Sequence, residues 1–302
     1  MKINIEDIEN ILGFSLEKEI REQFCKYNFN YFPLTEKEYN DYLVDVVNVL
    51  MKGIVKSGEH RIDDWENGWG ENLNKFIASN NIEDLKPRYH SKNKLVRWNK
   101  QVVNPECLNF DYNIHKIFVD SIIKHYLKDV NNIFEFGCGP GYHLLRIKDY
   151  FPTKNLYGAD WTVASQNLIA EINSKLNTNI TGFNLDFFKP DYSVKIPENS
   201  GIYTVAALEQ VGENYKEFVK FLLEKKPTVC VHLEPIDELL DETQLIDNLS
   251  RHYFRKRNYL KGFLPYLENL ESQSKIEIIK KQRIYTGSYF IEGHSLIVWK
   301  VK

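Results

Sequence analysis

The run Ile133-Phe134-Glu135-Phe136-Gly137-Cys138-Gly139-Pro140-Gly141-Tyr142 decides the fold, because an apolar strand ends there in three alternate glycines. A strand, then Gly-x-Gly-x-Gly, then a helix lets bare backbone approach a nucleotide-like ligand closely. The spacing separates cofactor classes. A dinucleotide fingerprint needs its third glycine or alanine where this chain has Tyr142, which disfavours a nicotinamide oxidoreductase.

Outward from that run, residues 133–136, 156–159, 180–184, 202–206, 229–233, 275–283 and 295–300 read as short apolar strands separated by helical patterns. This alternation from about Asp111 onward predicts an α/β, Rossmann-like sheet of seven strands over 111–302. Residues 236–272 are expected as an insertion of one or two helices. Residues 1–110 read as a mainly helical N-terminal cap. Thr35 and Glu38 form a capping box there, and Tyr39, Tyr42, Leu43, Val46, Val47, Leu50 and Ile54 follow at helical spacing. The stretch Asp64-Trp65-Glu66-Asn67-Gly68-Trp69-Gly70-Glu71-Asn72 reads as turn-rich, as do Pro87-Arg88-Tyr89-His90 and the region of Arg97 and Trp98.

Composition narrows the function classes. With 302 residues, 43% of them hydrophobic and 14% aromatic, the chain can bury a sizeable core. A net charge of -3 gives no global attraction to nucleic acid or an anionic membrane. Cys25, Cys107, Cys138 and Cys230 lie far apart with no C-x-x-C pair, so reduced thiols and a cytoplasmic location are expected, with neither a zinc site nor a disulfide framework. The acidic N-terminus lacks an apolar signal core, and the apolar run 42–51 is too short to span a bilayer.

The glycine run with Glu135 before it resembles motif I of class I S-adenosylmethionine-dependent methyltransferases. The resemblance covers about 111–302 and implies S-adenosylmethionine as cofactor. It implies that Glu135 meets the methionine ammonium and that Gly137, Cys138, Gly139 and Gly141 press backbone against the ligand. Asp160 stands 21 residues after Gly139, the place of a ribose-binding acid, with Trp161 beside the adenine. Asp186 and Phe187 resemble the third motif, whose acid accepts from the adenine amino group. Tyr203-Thr204 departs from the family, many of whose members begin the fourth strand with Asp.

In open sheets of this kind, reacting groups sit beyond the carboxyl ends of the strands. Period two places Cys230, His232 and Glu234 on one face of the fifth strand. Methyl transfer to a hydroxyl needs a group that removes the acceptor's proton, so Glu209, His232 and Glu234 are the candidate catalytic residues, with His232 the preferred base. Glu209, Glu234, Asp237 and Glu238 offer oxygen ligands, but their spacing matches no metal motif, and no metal is assigned. Trp69, Arg97, Trp98, Gln210 and Tyr259 are candidate acceptor contacts, since aromatic rings beside polar groups suit a sugar face and its hydroxyls. The cation-rich, aromatic segment Arg251-His252-Tyr253-Phe254-Arg255-Lys256-Arg257-Asn258-Tyr259 reads as a helix with a solvated face before it reads as a nucleic-acid contact.

The wider chain, with Ala207-Leu208-Glu209-Gln210 and Leu233-Glu234-Pro235-Ile236, is similar to bacterial methyltransferases of surface polysaccharide and glycoconjugate assembly. That similarity implies O-methylation of a sugar or sugar-linked group. A small natural product or a phosphorylated acceptor, and a non-catalytic binder of the cofactor, are the alternatives. The Asn/Asp-Pro-Pro-Tyr and Pro-Cys motifs of nucleic-acid methylation are absent.

Overall fold

In the computed structural model, residues 1–86 and 94–302 are described; Pro87 to His90 fall outside them. The N-terminal elements are α1 (Ile5–Leu12), α2 (Lys18–Phe24), β1 (Tyr31–Pro33), α3 (Glu36–Met51), α4 (Ile62–Ser79), β2 (Val96–Trp98) and β3 (Gln101–Pro105). Then come α5 (Phe110–Leu127), β4 (Asn132–Phe136), α6 (Tyr142–Tyr150), β5 (Asn155–Asp160), α7 (Val163–Leu176), β6 (Thr181–Asn184), β7 (Ser200–Val205), α8 (Tyr215–Lys225) and β8 (Val229–Glu234). The chain closes with α9 (Leu245–Arg257), α10 (Phe263–Ser272), β9 (Ile276–Arg283), β10 (Thr286–Gly287) and β11 (Ser295–Val301).

The fold is a Rossmann-like α/β architecture. Its seven-stranded sheet has the order β6-β5-β4-β7-β8-β11-β9. All pairs up to β8 are parallel, and β11 runs antiparallel to both β8 and β9. All seven strands lie where apolar periodicity places them. The order reverses between β4 and β7, and the crevice beyond that switch point is where such a sheet receives a ligand.

Side-chain alternation assigns the two faces. Ile133, Leu156, Tyr203, Val231 and Val298 point into a core with α5, α6 and α7. Phe134, Ile202, Cys230, Ile297 and Trp299 point into a second core under α8 and α10.

The N-terminal region differs from a separate helical cap in two respects. Its strands make a second sheet, β1-β3-β2-β10, whose fourth strand comes from the far end of the chain. Phe29, Phe76, Trp98 and Phe110 also share one continuous core with Ile117 and Ile133 of the large sheet and its cover. The β2–β3 hairpin turns on Asn99 and Lys100, both with positive φ (46° and 66°), the conformation a two-residue type I′ turn requires.

The Thr35/Glu38 capping box forms and starts α3, which buries Tyr42, Val46 and Leu50. Val47 is exposed, so the buried stripe is narrower than the periodicity suggests. The stretch from Asp64 to Asn72 is helical, not turn-rich, and lies wholly within α4. Gly68 and Gly70 cost helix propensity, about 1 kcal/mol each. Tertiary contacts override that cost: Phe76 and Asn72 are buried, and both oxygens of Glu66 accept the first N–H groups of α7, from Val163 (2.8 Å) and Ala164 (2.9 Å). Residues 236–272 contain two helices, α9 and α10. Among the described residues, no helix is long and apolar enough to cross a membrane.

Candidate active site

Four loops at the carboxyl ends of β4, β5, β6 and β7 meet at the switch point and line one cleft with α4. The first is the glycine run. Gly137 and Cys138 donate their N–H groups to the Ala159 carbonyl (2.7 and 3.0 Å), which pins the loop to the end of β5. Gly137 has φ +75°, and a Cβ there would lie 2.3 Å from that of Ala207, so only glycine lets the loops after β4 and β7 close together. Gly139 has φ +49°, and its Cβ would meet the Trp69 indole at 2.8 Å. Gly141, in the left-handed conformation, is the N-cap of α6.

Acids and aromatic rings face this cleft. Glu135 is buried, with Oε1 2.8 Å from His143 Nδ1 and Oε2 accepting from the Tyr203 hydroxyl at 2.8 Å. Burial, then the Glu135 charge, pushes the Tyr203 phenol well up, so it stays a donor. Tyr203 is thus an anchor for Glu135. Asp160 accepts from the Gly139 N–H (3.0 Å), the Thr162 N–H (3.0 Å) and the Thr162 hydroxyl (2.8 Å). The Ser165 side chain adds a further donor. Burial raises the Asp160 carboxyl, and the same donors oppose the rise. Half-burial raises Asp186, whose Oδ1 accepts from the Phe188 N–H at 2.8 Å. Trp161 stacks on Phe188 (6.0 Å, 30°), Phe187 packs edge-on against Phe218, and Trp65 stacks on Trp69 (5.5 Å, 30°).

A second cavity, of about 320 Å³, adjoins the first, and Trp65, Ala206 and Gln210 line both. Its other walls include Asp111, His115, Glu209, Tyr253, Arg257, Tyr259, Thr286, Ser288 and His294. Burial first, and the neighbouring Glu234 charge second, push the Glu209 carboxyl up; the Gln210 amide (2.8 Å) and the Tyr259 hydroxyl hold it down. The Gln210 side-chain amide is held at its oxygen by Ser57, whose hydroxyl donates to Oε1 at 2.9 Å.

Three candidate residues lie elsewhere than expected. His232 shares a face with Cys230 and Glu234, but that face is packed under α10, against Phe263 and Trp299. It is fully buried and lines neither cavity. Burial pushes its imidazole down to about 3, and with neither cavity beside it the ring is not placed to take a proton from an acceptor. Its Nδ1 lies 3.0 Å from Thr204 Oγ1. Arg97 is buried, and its Nη2 donates to the Tyr42 hydroxyl and to the carbonyls of Ile246 and Phe290 (3.1 to 3.2 Å), tying α3, α9 and the turn before β11 together. Trp98 is buried against Phe118. Neither lines either cavity.

The remaining placements are divided. Glu234 is fully buried and accepts three backbone N–H groups of the loop after β7. Trp69 lines the first cleft, Tyr259 the second cavity, and Gln210 both. Asp237 pairs with Arg251 and Arg255, and Glu238 accepts from the Gly262 N–H. The cations of the 251–259 segment are in part spent on such pairs, and Tyr253 stacks on Phe290. Sequence reasoning missed His143, the contact of Tyr203 with Glu135, and the three α5 and β11-flanking residues Asp111, His115 and His294. Of these, only Tyr142-His143, directly after the glycine run, carries a local signal, since the first turn of that helix must face the cleft.

No protein-family model and no curated protein matches the sequence. Solved structures with a similar fold include the small RNA methyltransferase HEN1, at 17% identity and a TM-score of 0.47 over 67% of this chain and 28% of that one. LepI, solved in complex with SAM, gives 10% and 0.41 over 58% and 43%. NcsB1, an O-methyltransferase from neocarzinostatin biosynthesis solved with S-adenosyl-L-homocysteine and 1,4-dihydroxy-2-naphthoic acid, gives 11% and 0.43 over 80% and 70%. The chain spans less than half the length of HEN1 and LepI, and at these identities the likeness is one of fold alone.

Proposed function

We propose that the chain is an S-adenosylmethionine-dependent methyltransferase that O-methylates a small polyhydroxylated acceptor, a sugar or sugar-linked group. The observation that carries this reading is a pair of adjoining cavities with different chemistry, meeting at Trp65, Ala206 and Gln210. The first is lined by Glu135, Asp160 and Asp186 together with indole and phenyl rings and, among the described residues, by no lysine or arginine. That donor set fits a cationic, ribose-bearing ligand with a planar base: carboxylates for ammonium and hydroxyls, ring faces for adenine and the sulfonium. It fits the diphosphate of a nicotinamide dinucleotide poorly.

When bound, S-adenosylmethionine supplies an electrophilic methyl carbon whose bonding pair stays on sulfur, leaving a neutral thioether. Glu135, braced by His143 and Tyr203, holds the ammonium end, and Asp160 accepts a ribose hydroxyl. Trp161 and Phe188 flank the base, and Asp186 accepts from its amino group. On the other side Glu209 accepts the acceptor hydroxyl's proton as the oxygen gains the methyl. General-base help of this kind is worth about 10² to 10⁴ in rate. The walls of the second cavity mix carboxyl, imidazole and hydroxyl groups with three aromatic rings, Trp65, Tyr253 and Tyr259, as a polyol with an apolar face requires.

Calorimetric titration with S-adenosylhomocysteine, with NAD(H) as control, tests the cofactor. Binding of S-adenosylhomocysteine alone is expected, followed by methyl transfer from labelled cofactor to one of a panel of saccharides. Binding of NAD(H) alone overturns the reading.

A further inference from the structure

The loop after β7 folds around a buried carboxylate. Ala206 takes a left-handed φ of 49°, a conformation that costs a non-glycine residue about 1 kcal/mol or more, and its N–H donates to the Leu233 carbonyl at 3.0 Å. The chain then turns so that successive amides converge on Glu234: Ala207 and Leu208 donate to Oε1 at 3.2 and 3.1 Å, and Glu209 donates to Oε2 at 3.1 Å. Such a run of N–H groups is a nest for an anion. The Thr204 hydroxyl, backed by His232, adds a further donor.

We infer that Glu234 is a positioning residue: its carboxylate orders the 206–209 turn, which carries Glu209 to the wall of the second cavity, and its charge makes Glu209 the more basic member of the pair. The inference rests on the reading of that cavity as the acceptor site. The census of donors divides the roles. Glu234 receives three amides and a hydroxyl, all of which favour its ionised form, while Glu209 receives only the Gln210 side-chain amide and the Tyr259 hydroxyl. Two buried carboxylates side by side do not both ionise readily, so the first proton taken up goes to Glu209. Burial and the Glu234 charge both act upward on Glu209, in agreement with that order. The groups facing Glu209 are Glu234 from β8, Tyr253 and Arg257 from α9, and Tyr259 after it. Asp111, His115 and His294 share its cavity.

Carbon-13 NMR titration of the glutamate carboxyls, in the full chain without acceptor, tests the inference directly. In the wild type the Glu209 resonance is expected to titrate above the ordinary glutamate value, and in Glu234→Gln to move down by about 1 to 3 units. The acid limb of the pH profile of kcat/KM moves down with it, a change that loss of mere structural support would not produce. Should Glu234→Gln fail to fold, Glu209→Gln serves instead: Glu209 is already protonated when Glu234 titrates in the wild type, so Glu234 is expected to titrate in Glu209→Gln where it does in the wild type. An ordinary Glu209 value in the wild type, an unmoved Glu209 in Glu234→Gln, or a lowered Glu234 in Glu209→Gln, which would make Glu234 the first to take the proton, overturns the inference. Calorimetry with S-adenosylhomocysteine on the same samples separates the two readings: carboxyl titrations as expected without ligand binding uphold the pair and remove the methyl-transfer assignment.

Discussion

At the scale of single residues, the site depends on which atoms are missing as much as on which are present. Gly139 has a positive φ and a Trp69 ring where its Cβ would go. Gly139→Arg is therefore expected to abolish S-adenosylhomocysteine binding in calorimetry, while far-ultraviolet circular dichroism stays unchanged. Retained binding would remove the glycine loop from the site. His232 makes a different prediction. Its folded-state value, about 3, lies below the 6.5 of the unfolded chain, so between those limits the unfolded chain binds a proton that the native state refuses. Stability is full above pH 6.5 and falls toward pH 3, by up to about 1.4 kcal/mol per pH unit from this residue. Urea midpoints at pH 7 and 5 should show that His232→Gln loses less stability on acidification than the wild type. That the glycines and acids after β4, β5 and β6 meet in one cleft was legible because it depends on spacing along the chain. The position of His232 was not, because period two gives a face but not what packs on it.

Elements show where local propensity yields. Helix α4 carries Gly68 and Gly70 in its interior, and added methyl groups at both would meet open space. Gly68→Ala or Gly70→Ala is expected to raise the free energy of unfolding by about 0.5 to 1 kcal/mol, measured by urea denaturation. The helix is held to α7 by Glu66, which takes two of that helix's orphan amides. Glu66→Ala should cost about 0.5 to 2 kcal/mol and speed hydrogen exchange at Val163 and Ala164. No change at those two amides would dissociate α4 from the cofactor helix. A cap supplied by another element leaves no signature in either local sequence, which is why the Trp-Gly stretch reads as turns.

Over the whole molecule, the N-terminal region and the large sheet share one continuous core. Phe29, Phe76, Trp98 and Phe110 share a core with the residues of α5 and β4, and β10 completes the N-terminal sheet. The fragment 111–302 is expected to expose that core, bind hydrophobic dye and lose the sharp thermal transition, while the full chain unfolds in a single calorimetric peak. Two separate peaks for the full chain, or a native-like fragment, would contradict this. The sequence by itself determined the seven strands, their α/β alternation, the glycine loop and the acids that follow it. Each of those is a short-range pattern, a periodicity or a fixed spacing that survives any packing. Only the tertiary structure decided that His232, Arg97 and Trp98 are interior, that α4 is a helix lying over the cleft, and that Glu234 faces backbone amides. Those outcomes depend on which distant segment covers which face, and sequence distance carries no record of that.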